Sequence, residues 1–193
     1  MSTGLQQAVA INESIKDVRG HCRQISLMGL NALILAQGVG QDAKGFAVMA
    51  NEVRQLSIRL GKQMDLLHHL SITMLKLDSI TSRGERRRMV FDRTAQLRAT
   101  GNYLDKLQAR LQQAGAAAQK EAVRLRSELG STLDTALQAA MYGIAIARQA
   151  RIESAYSHSH AAQLGAVSDD FRREIDAILP RLDELQKMLE HKT

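Results

Sequence analysis

Six histidines and one cysteine are the side chains best suited to hold a metal ion in this chain. His158 and His160 flank Ser159, a spacing that keeps them off a common helix face but would let both serve from a loop. His68 and His69 are adjacent and diverge on a helix, and His21 neighbours Cys22. A structural zinc site draws on about four converging ligands that usually arrive in recognisable pairs, and these positions do not supply such a set. Other chemistry fails in the same way. The glycines between Gly38 and Gly45 lack the Lys-Ser/Thr ending and the preceding strand of a phosphate loop. No serine elbow, paired-carboxylate cleft or nucleotide fingerprint occurs. The expectation is a protein that is not an enzyme and takes no cofactor; a histidine-based metal or haem sensor is the one chemical reading left, and metal analysis tests it.

What the chain offers in place of reactive groups is periodicity. Ala8, Ile11, Ile15, Val18, Cys22, Ile25, Gly29 and Ala32 follow one another at alternating steps of three and four. That period places all of them on one seam of a helix. A second stripe repeats the pattern: Phe46, Met49, Val53, Leu56, Leu60, Gln63, Leu67, Leu70, Met74 and Leu77, with Gln63 the polar intruder. Two narrow apolar seams in succession must bury themselves against each other or against a partner. Between them Gly38, Gly40 and Gly45 mark a reversal, with Asp42 available to cap the following helix. A connection this short returns the helices antiparallel.

Composition agrees. The chain has 193 residues, 45% hydrophobic but only 3% aromatic, with a single proline. Sandwiches and barrels need turn-rich, β-branched or aromatic sequence; Ala, Leu, Gln, Arg and Glu favour helix. The fold class read here is all-α: an antiparallel coiled-coil helical hairpin in an extended helical bundle, a four-helix bundle formed either within one chain or by a dimer. Predicted helices cover 5–38 and 44–82, then 86–129, 132–156 and 168–190, with breaks at Ser82–Glu85, at Gly130-Ser131 and across Ser157–Asp170. One face of the third helix carries Leu97, Leu104, Leu111, Ala118, Leu125 and Leu129. Phe171, Ile175, Ile178, Leu182, Leu185 and Leu189 form a final heptad, with a kink expected near Pro180. Residues 1–82 then form one module turning near 39–42, and 83–193 complete or extend the bundle.

The net charge of +6 does not make a nucleic-acid binder. Acids interleave the bases throughout, and only Phe91 attends the densest basic run, Arg86–Arg88. The lone Cys22 gives no sign of a disulfide framework. The apolar run Leu27–Ala36 contains Asn31 and is far short of the ~20 residues that span a bilayer. The chain reads as cytoplasmic, without a membrane segment.

Residues 27–60 resemble the hairpin tip of the cytoplasmic signalling domain of bacterial chemoreceptors, the methyl-accepting chemotaxis proteins. The matching positions are Leu30-Asn31-Ala32, Ala36, Gly40, Gly45-Phe46-Ala47-Val48, Ala50, Glu52-Val53-Arg54 and Leu56. The resemblance extends over about residues 5–80. It implies a signal-transduction module that acts by protein–protein contact, forms a homodimer or higher oligomer through its bundle, and engages the chemotaxis histidine kinase and its coupling protein. Asn31, Ile34, Leu35, Phe46, Val48, Glu52 and Arg54 are the expected contact residues. The tip also diverges: Leu35 stands where the family has glutamate, Gly38 for arginine, Gln41 for glutamate and Ala43 for glycine. Rim charges govern partner choice and association rate, so their loss supports the alternative of a structural or adaptor coiled coil that no longer contacts the kinase. Leu35, Ile34 and Phe46 could seal the hairpin core or form an apolar contact patch. Gln112-Gln113 beside Gly115-Ala116-Ala117 has only the composition of a receptor methylation site.

Overall fold

The computed structural model describes residues 2–95 and 102–190. Four long helices account for nearly all of them: α1 (Ser2–Val39), α2 (Lys44–Ala95), α3 (Asn102–Ala155) and α4 (Ala161–Glu190). Single turns of 3-10 helix, Gln41–Ala43 and His158–His160, join α1 to α2 and α3 to α4. No strand occurs among the described residues, so the all-α class stands. Leu97 lies outside the described residues, as do the side chains of Ala8, Arg87, Arg88, Phe91 and Leu104.

The predicted breaks inside α2 and α3 do not form. Thr81 donates its hydroxyl to the Leu77 carbonyl at 2.9 Å, and Thr135 donates to the Ser131 carbonyl at 2.7 Å. Each hydroxyl satisfies itself against its own helix and does not compete for a cap. One glycine costs only about 1 kcal/mol against alanine, too little at Gly84 or Gly130 to end a helix of strong formers. The connection expected across Ser157–Asp170 shrinks because burial wins over composition. Leu164 is fully buried, and the Ser168 hydroxyl donates back to its carbonyl at 3.1 Å. Pro180 sits inside α4, where Ile178 and Leu182 are buried on either side of it.

Contacts divide the chain into two compact units, Met1–His68 with Gly130–Thr193, and His69–Leu129. In the first, α1 buries Ile15, Val18, Cys22, Ile25, Ala32 and Ala36, and α2 buries Phe46, Val53, Leu56, Leu60 and Leu67. All of these but Ala36 belong to the two seams read from the spacing; in the second seam Met49 and Gln63 are only half-buried, and their neighbours Ala50 and Met64 take the core positions. From the C-terminal side α3 adds Leu133, Ala140 and Ala147, and α4 adds Phe171, Ile175, Ile178 and Leu182. Glycines mark where the helices come closest. A Cβ on Gly29 would meet the Arg54 Cβ at 2.7 Å and the Ala50 carbonyl at 3.3 Å, so α1 and α2 touch at their backbones. A Cβ on Gly143 would meet Leu56 of α2 and Ile175 of α4, so α3 packs against both. Helices α1 and α4 also pack together, joined by Arg181 to Asp17 at 3.5 Å and His21 Nδ1 to Glu174 at 2.8 Å. The unit is a four-helix bundle closed within one chain.

The second unit buries Leu70, Met74, Leu125 and Leu129, while Ile72, Ile80, Met89, Val90 and Val123 are exposed. On its surface Arg124 pairs with Glu121 at 2.7 Å, and this hydrogen bond holds the Glu121 carboxyl below its usual range.

Candidate interaction surface at the bundle tip

Helix α1 ends at Val39 because Gly40 takes φ +88° and ψ −136°, a region open essentially to glycine. The Gly40 N–H donates to the Ala36 carbonyl at 3.0 Å, and the Ala43 N–H donates to the Gly40 carbonyl at 3.2 Å. Gly38 lies in the last turn of α1 and Gly45 in the first turn of α2, so of the three expected turn glycines only Gly40 adopts a conformation peculiar to glycine. At Gly45 the space a Cβ would take is filled by the Glu153 carboxylate of α3, the movable end of a flexible side chain. A carboxylate over the first turn of a helix is favoured by the helix dipole. Asp42 accepts a hydrogen bond from the Ser157 hydroxyl at 3.0 Å through its main-chain carbonyl. Ser157 is buried. This bond ties the two turns together, so both hairpins reverse at the same end of the bundle.

The expected contact residues separate by face. Phe46 is 0% exposed, which corrects its placement as a surface residue: it is the first large side chain of α2 and fills the core under the turn. Ile34 is 63% and Val48 56% exposed. The register set by Gly29 against Ala50 and Arg54 puts these two at the same level of the hairpin, seven residues before and after Gln41, each on the outside of its own helix. Asn31 is exposed, and Leu35, Glu52 and Arg54 are half-buried. The cluster read as Ile34, Leu35 and Phe46 is therefore divided, with Phe46 sealing the core and Ile34 outside.

Other exposed apolar residues were not anticipated. Leu27 and Leu30 continue the outer stripe of α1 from Ile34, and Met141, Tyr142, Ile152 and Tyr156 line the outside of α3 in the same half of the bundle. The signal was present in the steps Leu27–Leu30–Ile34 and Tyr142–Ala145–Gln149–Ile152–Tyr156, each alternating three and four. These second seams face opposite to the first and are hidden in a sequence by the stronger core seam.

Among the described residues no group of three or more His, Cys, Asp or Glu could hold a metal ion. His158 and His160 lie on the exposed turn, and His158 has φ +43°. Cys22 is buried in the seam, and burial pushes its thiol up to about 12. No described helix is long and apolar enough to cross a membrane.

The described residues form an all-helical bundle with exposed apolar side chains near its glycine turn. Comparison with known proteins agrees with this class. A 69-residue segment is 36% identical to the methyl-accepting chemotaxis protein McpA of Pseudomonas putida, covering 36% of this chain and 11% of that protein. The sensory transducer protein YvaQ of Bacillus subtilis is 42% identical over 52 residues, 27% of this chain and 9% of its own. The biofilm dispersion protein BdlA of Pseudomonas aeruginosa is 40% identical over 62 residues, 32% of this chain and 14% of its own. The chain thus carries a divergent stretch similar to chemoreceptor signalling sequence, and that stretch spans about a tenth of the length of these relatives. No family model matches the chain, and no solved structure matches it.

Proposed function

We propose that this chain is a chemoreceptor-like signal-transduction module that works by protein–protein contact at its tip and catalyses no reaction. The observation that carries the reading is the pair Ile34 and Val48, level with each other and more than half exposed beside the glycine turn. Asn31, Leu35, Glu52 and Arg54 lie on the same stretch of the two helices, so apolar and polar groups are both at hand there, as protein interfaces require. Sequence similarity to proteins named as chemotaxis and sensory transducers supports the same role. The partners we propose are the chemotaxis histidine kinase and its coupling protein, met in the cytoplasm. Any homodimer or higher oligomer would use outer faces, since the seams of α1 and α2 are covered within the chain.

Ile34→Ala should weaken capture of the kinase and coupling protein about tenfold or more, as truncation of a central interface residue does, and leave the melting temperature unchanged. Loss of stability in step with binding would return Ile34 to a structural role. The second reading, an adaptor that no longer meets the kinase, is favoured by Leu35, Gly38 and Gln41, which replace three charged family positions. Wild-type chain that captures neither protein in the pull-down would select it.

A further inference from the structure

Away from the tip, α1 and α2 part to leave a groove of about 240 Å³. Arg19 and Arg23 stand on its α1 side, Lys62 and Asp65 on its α2 side, and Cys22 and Gly61 lie between them. Arg19 is committed to Asp65 at 3.0 Å. Arg23 and Lys62 have no carboxylate partner among the described residues, so each helix contributes to the groove lining one cation that no carboxylate neutralises. The remaining surface is of another character. Cys22 is buried, Ile58 is half-buried, and a Cβ built on Gly61 would meet nothing within 4 Å. Ser26 adds a hydroxyl on the Arg23 side, while the Ser57 hydroxyl is spent on the Arg54 carbonyl at 2.7 Å.

We propose that this groove binds a small organic anion, a carboxylate or phosphate monoester with a compact apolar body. The charged head would lie between Arg23 and Lys62, which suit such groups by charge-assisted hydrogen bonding. The body would rest over Gly61 against Cys22 and Ile58. The volume is below the ~300–1,000 Å³ of ordinary small-molecule sites, which restricts the ligand to about the size of a one-ring acid. Asp65 is held by Arg19 and so repels the anion less than a free carboxylate would. A bound anion would bridge the two helices of the hairpin and stabilise the packing that binds it, giving the module a chemical input within its own hairpin. This site is independent of the tip reading and stands or falls without it.

The test is a titration of the full chain followed by amide NMR shifts. Phenyl phosphate and benzoate serve as the two organic anions, inorganic phosphate as the head alone and benzyl alcohol as the body alone. The expected result is saturable shifts at Gly61 and Cys22 with at least one organic anion, and binding about tenfold weaker or worse for each half-ligand. Which anion saturates first distinguishes the phosphate from the carboxylate source. Arg23→Gln, at an exposed position, should weaken binding about tenfold, the size of one charge-assisted bond. Gly61→Leu should fill the groove and abolish binding with no drop in melting temperature. The proposal is overturned if neither organic anion saturates, if inorganic phosphate binds equally well, or if Gly61→Leu binds unchanged.

Discussion

Two turn residues with positive φ make opposite demands on the chain. Gly40 occupies a region that a side chain penalises by about 1–3 kcal/mol. Gly40→Ala should therefore lower stability by that order in a denaturant melt. His158 pays a related cost at φ +43°, so His158→Gly should be neutral or stabilising in the same assay. Cys22 makes a prediction in pH. Its thiol ionises near 9 when unfolded and near 12 when buried, so above pH 9 the unfolded state binds fewer protons than the folded one. The stability this thiol contributes is complete below pH 9 and declines towards pH 12 by about 1.4 kcal/mol per unit. Cys22→Ala should remove that part of the slope, measured as the difference between wild-type and variant melts. An unchanged slope would falsify the buried placement of the thiol.

At the scale of elements, glycine has different meanings at two positions on α1. A Cβ on Gly29 would press on Arg54 and the Ala50 carbonyl, whereas one on Gly20 would meet nothing within 4 Å. Gly29→Ala should cost about 1–3 kcal/mol through overpacking between α1 and α2. Gly20→Ala should stabilise by about 0.5–1 kcal/mol, the ordinary helix preference. Equal responses in thermal unfolding would refute the close approach of the hairpin helices. The seams were largely legible, because residues at 3-4 spacing from Ile15 to Ala32 and from Phe171 to Leu185 are buried, whereas on α2 the core takes Ala50 and Met64 in place of Met49 and Gln63. Helix ends were less so. Ser82–Glu85 and Gly130-Ser131 have the composition of breaks, yet the neighbouring threonines bond within their helices and the helical run continues.

For the whole molecule, the decisive arrangement is that α3 and α4 close the bundle around the first hairpin. Phe171 of α4 is fully buried, so Phe171→Ala should cost about 3–5 kcal/mol and unfold much of the population of a domain of ordinary stability. Because α1 packs on α4, the same variant should expose Cys22, on the other hairpin, to alkylation at a pH where the wild type is protected. If Cys22 stayed protected while α4 melted, the hairpin would fold alone and the single-core account would fail. The tip also belongs to this scale. Its surface depends on Ser157 anchoring the second turn to Asp42, a contact between residues more than a hundred positions apart that neither local sequence announces.

Sequence alone determined the helical class, the first seam and most of the second, the glycine reversal and the likeness to chemoreceptor signalling sequence. Each of these rests on short-range spacing or on residue type, which a linear string records in full. Tertiary structure decided that Phe46 is core and Ile34 is surface, that the later helices cover the hairpin, and that Arg23 and Lys62 share one groove. All three depend on which helix lies against which face, and the heptad period is the same for every such pairing, so only the packed bundle could choose among them.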